Sequence, residues 1–358
     1  VLAHRWPLCR CGRRSVLLGV AQPLMPSSLD SLTSWHSDWS GLRVVVVGLD
    51  ATGFAVVDTL VELGAEVLAV APDAKSDVVR IAEVIGAGVH VSGDVLSRVQ
   101  AALGHTADLA IVSPDVSSDD PVAGALLGAG VPVWSDVDFA WRVRDKNDVV
   151  AQWILVVGET DGPRIADLAA RILVADGRSA RHVGLESAPL LDALRDPEPY
   201  TTLIIVAGST GVGWWQRYPE ALRRPVLTVS LGDAGVTPSV TPSGVRFDAT
   251  TTACVYRRSV GPTEDMVKDA DVLEGARAIG IGLDSPGMSD LGLVEGILCD
   301  RAFLEDREHQ ALEISTTEEL EEAGWVIPDD LPTILAAVAI ARSYDVSPAL
   351  IAGVVTLP

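Results

Sequence analysis

Three glycine-bearing turns hold the residues whose type and spacing could do chemistry. The first, "GETDGPR" (residues 158–164), follows the apolar run Ile154–Val157 and leads into a helical pattern. That is the outline of a phosphate-binding loop, in which backbone N–H groups and a helix N-terminus hold an anion. A working loop also needs a lysine on the terminal phosphates and a Ser or Thr hydroxyl for magnesium. Gly162 or Pro163 and Arg164 stand at those positions, and Glu159 and Asp161 bring two carboxylates beside any phosphate. Pro163 also withdraws one N–H donor. A like-charge contact at about 4 Å costs on the order of 4 kcal/mol near a surface, and Arg164 can offset part of this but not both charges. Gly158, Thr160, Asp161, Gly162 and Arg164 are therefore expected to keep the shape of a phosphate loop (a degenerate P-loop) without ATP chemistry.

The second turn, "GLDATG" (residues 48–53), also lies between a strand pattern and a helix pattern. Its backbone could face a phosphate, or it could be a tight turn that lets helix pack on sheet. It departs from the dinucleotide fingerprint G-x-G-x-x-G because Asp50 stands at the middle glycine and places a negative charge where a pyrophosphate would lie. A nicotinamide-dependent oxidoreductase on this turn is the weakest functional reading. The third turn, "AGSTGVGWW" (Ala207–Trp215), contains no basic residue and reads as a connection capped by a tryptophan pair, with backbone anion binding as the alternative. No Ser-His-Asp or Cys-His arrangement is signalled. Cys9, Cys11, Cys254 and Cys299 lack metal-type spacing and read as free thiols, so no metal site is expected.

Composition narrows the partners. With 49 acidic against 27 basic residues the net charge is −22, which repels a phosphate backbone and argues against nucleic acid. The only lysines are Lys75, Lys146 and Lys268. Residues 1–24 imitate an export signal, but their apolar part is about ten residues long, too short for a span. They are read, with the rest of residues 1–41, as a disordered or over-extended leader. No membrane span and a cytoplasmic location are expected.

From Leu42 the pattern is regular. "LRVVVVG", "AEVLAVA", "GVHVS", "DLAIVS" and "VPVW" read as strands, alternating with helices that include Ser76–Ile85 and Val122–Leu127. This predicts an α/β domain over residues 42–147 with a Rossmann-like parallel sheet, ending at the polar linker "RDKND". A second α/β domain, residues 148–358, begins with "WILVV" and continues through a helix at Pro163–Ala175. Its Ile165, Leu168, Ala169, Ile172 and Leu173 form a core-facing stripe. "TLIIVA" and "PVLTVS" follow as strands, then short strands such as "ACVYRR" and "LGLVEGILCD", and a helix at Pro332–Ser343.

Taken together, "VVVVGLDATGFAVVDTLVELGAEV", "ADLAIVSPDV", "GVPVWSDVDFAWRVR", "WILVVG", "PLLDALRDPEPY" and "ADVLEGARAIG" resemble the MurD-type Mur ligases over roughly residues 42–355. Those enzymes use ATP to join D-glutamate to UDP-N-acetylmuramoyl-L-alanine in peptidoglycan synthesis. The resemblance implies a UDP-binding Rossmann-like domain and a central ATPase-like domain, with the family's third domain absent from this chain. It places Ala51, Thr52, Asp73, Ser113 and Asp115 at UDP-binding positions, Asp115 replacing a glycine and Asp73 standing as a shifted candidate. It places "GETDGPR" at the family's G-T-N-G-K-T-T, Val206 at a magnesium-binding glutamate with Gly208 and Ser209 at the serines after it, Leu185 at an asparagine near the substrate sugar, and Thr228, Gly232 and Asp233 at Asn, Asp and His. The carbamylated lysine has no counterpart, since no lysine lies between Lys146 and Lys268.

The expectation is a catalytically inactive homologue of peptidoglycan precursor metabolism, binding a UDP-N-acetylmuramoyl-peptide ligand or a cell-wall synthesis protein. No cofactor is expected, and ATP with Mg²⁺ only if the altered loop still works. The alternative is a divergent ligase completed by a partner subunit.

Overall fold

The computed structural model describes residues 29–208, 210, 211, 214, 225–232, 247, 250–268, 270 and 274–357. Cys9, Cys11, Ser209, Trp215 and Asp233 lie outside the described residues.

The first alternating segment comprises β1 (Arg43–Val47), α1 (Ala51–Glu62), β2 (Glu66–Ala71), α2 (Ser76–Ile85), β3 (Gly88–Val91), α3 (Val95–Gly104), β4 (Leu109–Val112), α4 (Pro121–Gly128), β5 (Val133–Ser135) and α5 (Asp136–Arg142). Its strands are all parallel in the order β3-β2-β1-β4-β5. The topological switch therefore falls between β1 and β4, and their carboxyl ends open a crevice. β1 is a valine run because a central parallel strand is covered on both faces. Val44 and Val46 join one cluster with α1 and α5, and Val45 and Val47 join another with Val122, Ala123 and Leu126 of α4.

The second segment comprises β6 (Gln152–Val157), α6 (Gly162–Ala175), β7 (Ala180–Gly184), α7 (Leu190–Leu194), β8 (Thr202–Ala207), β9 (Leu227–Ser230), β10 (Ala253–Arg257), α8 (Gly261–Lys268), β11 (Arg277–Ile281), β12 (Asp290–Val294), β13 (Ile297–Asp300), β14 (Leu312–Thr316), α9 (Thr317–Glu322), α10 (Leu331–Ser343) and α11 (Pro348–Val355). The strand order is β14-β13-β12-β11-β10-β9-β6-β8-β7. Strands from β7 to β12 along this order are parallel, and β13 and β14 continue the edge antiparallel. "LGLVEGILCD" is a hairpin, turned at Glu295 and Gly296 with φ of 51° and 83°, the left-handed conformation that matches strand twist.

β6 alternates strictly between two cores. Ile154 and Val156 pack with α6 and α10, whereas Trp153, Leu155 and Val157 pack in the cluster that holds α1, α5 and α7. The two sheets thus share apolar packing. Trp141 of α5 meets Trp153 edge to face at 5.0 Å, and Arg195 after α7 pairs with Asp58 and Glu62 of α1.

Two expectations change here. Part of the segment read as a leader is packed: Leu32 and Trp39 are each 1% exposed, and Trp39 meets Phe139 edge to face at 5.4 Å. The polar residues around them mask this anchor in the sequence. The "RDKND" linker is also tied down. Asp145 accepts from Ser34 Oγ and Trp35 N, Lys146 Nζ lies 2.6 Å from Glu62 Oε1, and Asn147 Nδ2 donates to the carbonyls of Leu194 and Asp196.

A buried ion pair fixes α10 to β13. Arg342 Nε donates to Asp300 Oδ2 at 2.8 Å, Arg342 Nη1 to the Val346 carbonyl, and Asp300 Oδ1 accepts from Ala302 N and Phe303 N. Removing one partner strands the other charge. Asp300→Ala is expected to lose about 3–5 kcal/mol in urea unfolding, while replacing both residues by apolar ones of similar volume costs far less.

Candidate functional site

The site begins with glycine geometry at the end of β1. Gly48 has φ +97°, and a Cβ there would lie 2.8 Å from Ser113 Cβ; a Cβ on Gly53 would lie 2.3 Å from the Gly48 carbonyl oxygen. These glycines let α1 start directly against the sheet. Asp50 caps that start: its Oδ1 accepts from Gly53 N at 2.7 Å and its Oδ2 from Ser113 Oγ at 2.6 Å. One of the first-turn donors of α1 is thereby satisfied, and a carboxylate stands at the electropositive end of the helix.

Two cavities flank this turn. The larger, about 700 Å³, is walled by Leu49, Ala51, Pro72, Val78 and Val116, with Asp50, Asp73, Asp115 and Lys75 as its charged groups. The smaller, about 370 Å³, lies where the carboxyl ends of both sheets meet; it touches Thr52, Asp115 and Asp136 on one side and Glu159, Glu186 and Gly208 on the other. Trp214 joins the two sides by donating Nε1–H to the Val116 carbonyl at 2.6 Å.

The titratable lining of the smaller cavity is acidic. Burial and the neighbouring Asp50 raise the Asp115 carboxyl above the usual range. Asp136, at the first position of α5, is 7% exposed. Burial is the largest cause raising its carboxyl from 3.8 to about 7; a hydrogen bond from Val137 N opposes this, and the charges of Asp138 and Asp50 add to it. Glu159 reaches from the end of β6 to the end of β8, where a Cβ on Gly208 would stand 3.1 Å from its Cγ. Gly184 (φ +96°) leaves no room for a Cβ, which would fall 2.4 Å from the Val206 carbonyl oxygen. His182 pins the following residues, its Nε2 lying 3.1 Å from the Leu185 carbonyl and its Nδ1 2.7 Å from Asp167 Oδ1.

Ala51, Asp73 and Asp115 come together at the larger cavity, whereas Thr52 faces the smaller one. Ser113 is fully buried and its hydroxyl donates to Asp50 Oδ2. In "GETDGPR", Gly158 N donates to the Ala207 carbonyl at 3.2 Å, Thr160 is exposed, and Asp161 makes no side-chain cap bond to α6. Gly162 is buried against Val206, whose Cγ1 would lie 2.9 Å from a Cβ there. Arg164 reaches away from the loop to α10. Its Nη2 donates to Asp330 Oδ1 at 2.6 Å, at the start of α10. Thr228 Oγ1 is buried 3.0 Å from Thr250 Oγ1. Asp136 and Glu186 were absent from the expected site, and Glu159 was expected only as a charge beside a phosphate on the loop. The Ser135–Asp138 capping box could have marked the start of α5 and so its first residue, Asp136.

No family model matches the chain. It is similar to the UDP-N-acetylmuramoylalanine–D-glutamate ligase of Leifsonia xyli subsp. xyli, 40% identical over 334 residues that make up 89% of this chain and 65% of the relative. The protein of the same name from Tropheryma whipplei (strain Twist) is 34% identical over 332 residues, 90% of this chain and 68% of the relative. The chain thus spans about two thirds of the length of these curated relatives. Among solved structures, the UDP-N-acetylmuramate:L-alanyl-gamma-D-glutamyl-meso-diaminopimelate ligase from Neisseria meningitides superposes with a TM-score of 0.52 at 13% identity, over 88% of this chain and 98% of that one. A murein peptide ligase from Psychrobacter arcticus gives 0.50 at 14%, over 88% of this chain and 68% of that one. At these identities the structures speak to the fold alone.

The raised carboxyl of Asp136 has a defined linkage sign. Its contribution to stability is fully present below pH 3.8 and is lost as pH rises through about 7. Relative to Asp136→Asn, the wild type is expected to lose on the order of 4 kcal/mol across that window, read from urea unfolding at a series of pH values.

Proposed function

The chain belongs to the UDP-N-acetylmuramoylalanine–D-glutamate ligase family, and from that premise we propose that it binds a UDP-muramoyl precursor without turning over ATP. Two sheets with ligand-sized cavities at their carboxyl ends support the binding half of this reading. The observation that carries the catalytic half is the commitment of Arg164 to Asp330. It engages the basic residue of the "GETDGPR" turn away from the place where terminal phosphates would need neutralising.

The residues present do not fit ATP with Mg²⁺. Val206 presents a methyl group to Gly162 at the carboxyl ends of β6 and β8, and Glu159 lies over Gly208. A phosphate seated on the α6 N-terminus would meet Glu159 and Asp161 with no lysine to offset them. Phosphoryl transfer depends almost wholly on such positioning and charge neutralisation. The chain's own residues can present a cavity, exclude water from it and hold a proton at the Asp136 carboxyl.

On this reading residues 42–147 carry the nucleotide portion of the ligand and residues 148–358 form the opposing wall. A cell-wall synthesis protein is the partner class that would use such a binder. Calorimetric titration with UDP-N-acetylmuramoyl-L-alanine is expected to give micromolar binding, with no heat from ATP–Mg²⁺ and no phosphate release with D-glutamate present. Release of phosphate at a rate that scales with protein concentration would sink the non-catalytic reading in favour of a divergent ligase.

A further inference from the structure

The larger cavity has walls suited to the flat face of a base or sugar ring: Leu49, Ala51, Pro72, Val78 and Val116. A source of anion-binding groups beside this cavity is the start of α1, where Asp50 already holds two donors. Gly53 N–H is taken by Asp50 Oδ1 and Ser113 O–H by Asp50 Oδ2. We propose that Asp50 is the specificity-determining residue of this cavity: acting as a built-in anion at the α1 N-terminus, it admits the nucleoside part of a ligand and gives no hold to a diphosphate. This assignment rests on the precursor-binding reading and refines it, since the ligand is then recognised through its rings and released readily.

Three features reinforce one another. Asp115 lines the same cavity as Asp50, and burial and that neighbouring charge raise its carboxyl, so an incoming phosphate meets two carboxyl groups. Lys75 is the one cation among the described lining residues, set against three aspartates. The glycines on either side of Asp50 cannot be exchanged for larger residues, because Gly48 and Gly53 have no room for a Cβ. Asp50 itself has φ −77° and ψ −166°, an extended conformation open to any residue. The charge can therefore be removed without straining the backbone, at the cost of the bonds to Gly53 N and Ser113 Oγ in the glycine variant.

The test is calorimetric titration of uridine and of UDP into the full chain as wild type, Asp50→Gly and Asp50→Asn. The asparagine keeps an N-cap side chain while losing the charge. Uridine is expected to bind all three proteins within about threefold, and UDP to bind the wild type no tighter than uridine. UDP should then bind Asp50→Gly about tenfold or more tighter than wild type, with Asp50→Asn between. Two results overturn the proposal and leave the precursor reading standing: wild type preferring UDP over uridine by about tenfold, or uridine binding throughout while Asp50→Gly leaves UDP unchanged. Silence toward both ligands in all three proteins, each unfolding cooperatively, overturns the proposal and the precursor reading together.

Discussion

The structure depends on the two-residue period of β6. A strand exposes successive side chains to opposite faces, and here both faces are buried in different cores, one built on α6 and α10, the other on α1, α5 and α7. One strand therefore sets the second sheet against its helices and also joins the two sheets. The same period in β8 places Ile204 and Val206 on one side and Leu203, Ile205 and Ala207 on the other. The smaller cavity lies where these two strands end, so its shape is fixed by packing that begins several residues upstream.

Most of the regular elements were legible in the sequence, because parallel strands covered on both faces read as unbroken apolar runs and their helices carry stripes. "LRVVVVG", "TLIIVA" and Pro163–Ala175 lie where expected. Short elements were not legible. α7 is five residues long, less than two turns, and β7 carries Arg181 and His182 whose partners lie far along the chain or in the adjoining loop. At the site, composition revealed which residues occupy each turn but not where they point. Arg164 looked available to the loop because Asp330 is 166 residues away in sequence. The pairing of Ser113 with Asp50 was not legible either, because it crosses from one strand end to the next.

The aspartate that caps α1 is not unusual as a cap. Asp94 accepts from Leu96 N and Ser97 N at the start of α3, and Asp120 accepts from Val122 N and Ala123 N at the start of α4. Those caps stabilise their helices by about 1 kcal/mol each. At α1 the same device stands in a crevice at the topological switch, so one side chain both stabilises the helix and sets the charge that a ligand meets. With Asp115 and Asp136 close by, one protein charge alters the protonation of the others.

The tied segment between the sheets bears on motion. Two lobes that swing apart need a joint whose backbone can turn without breaking contacts, and residues 145–147 are held by Ser34, Glu62 and the carbonyls beyond α7. Rotation there would also pull Arg195 from α1 and draw Trp153 and Leu155 out of their shared core. Opening the cleft between the two sheets would therefore break into the apolar core that they share.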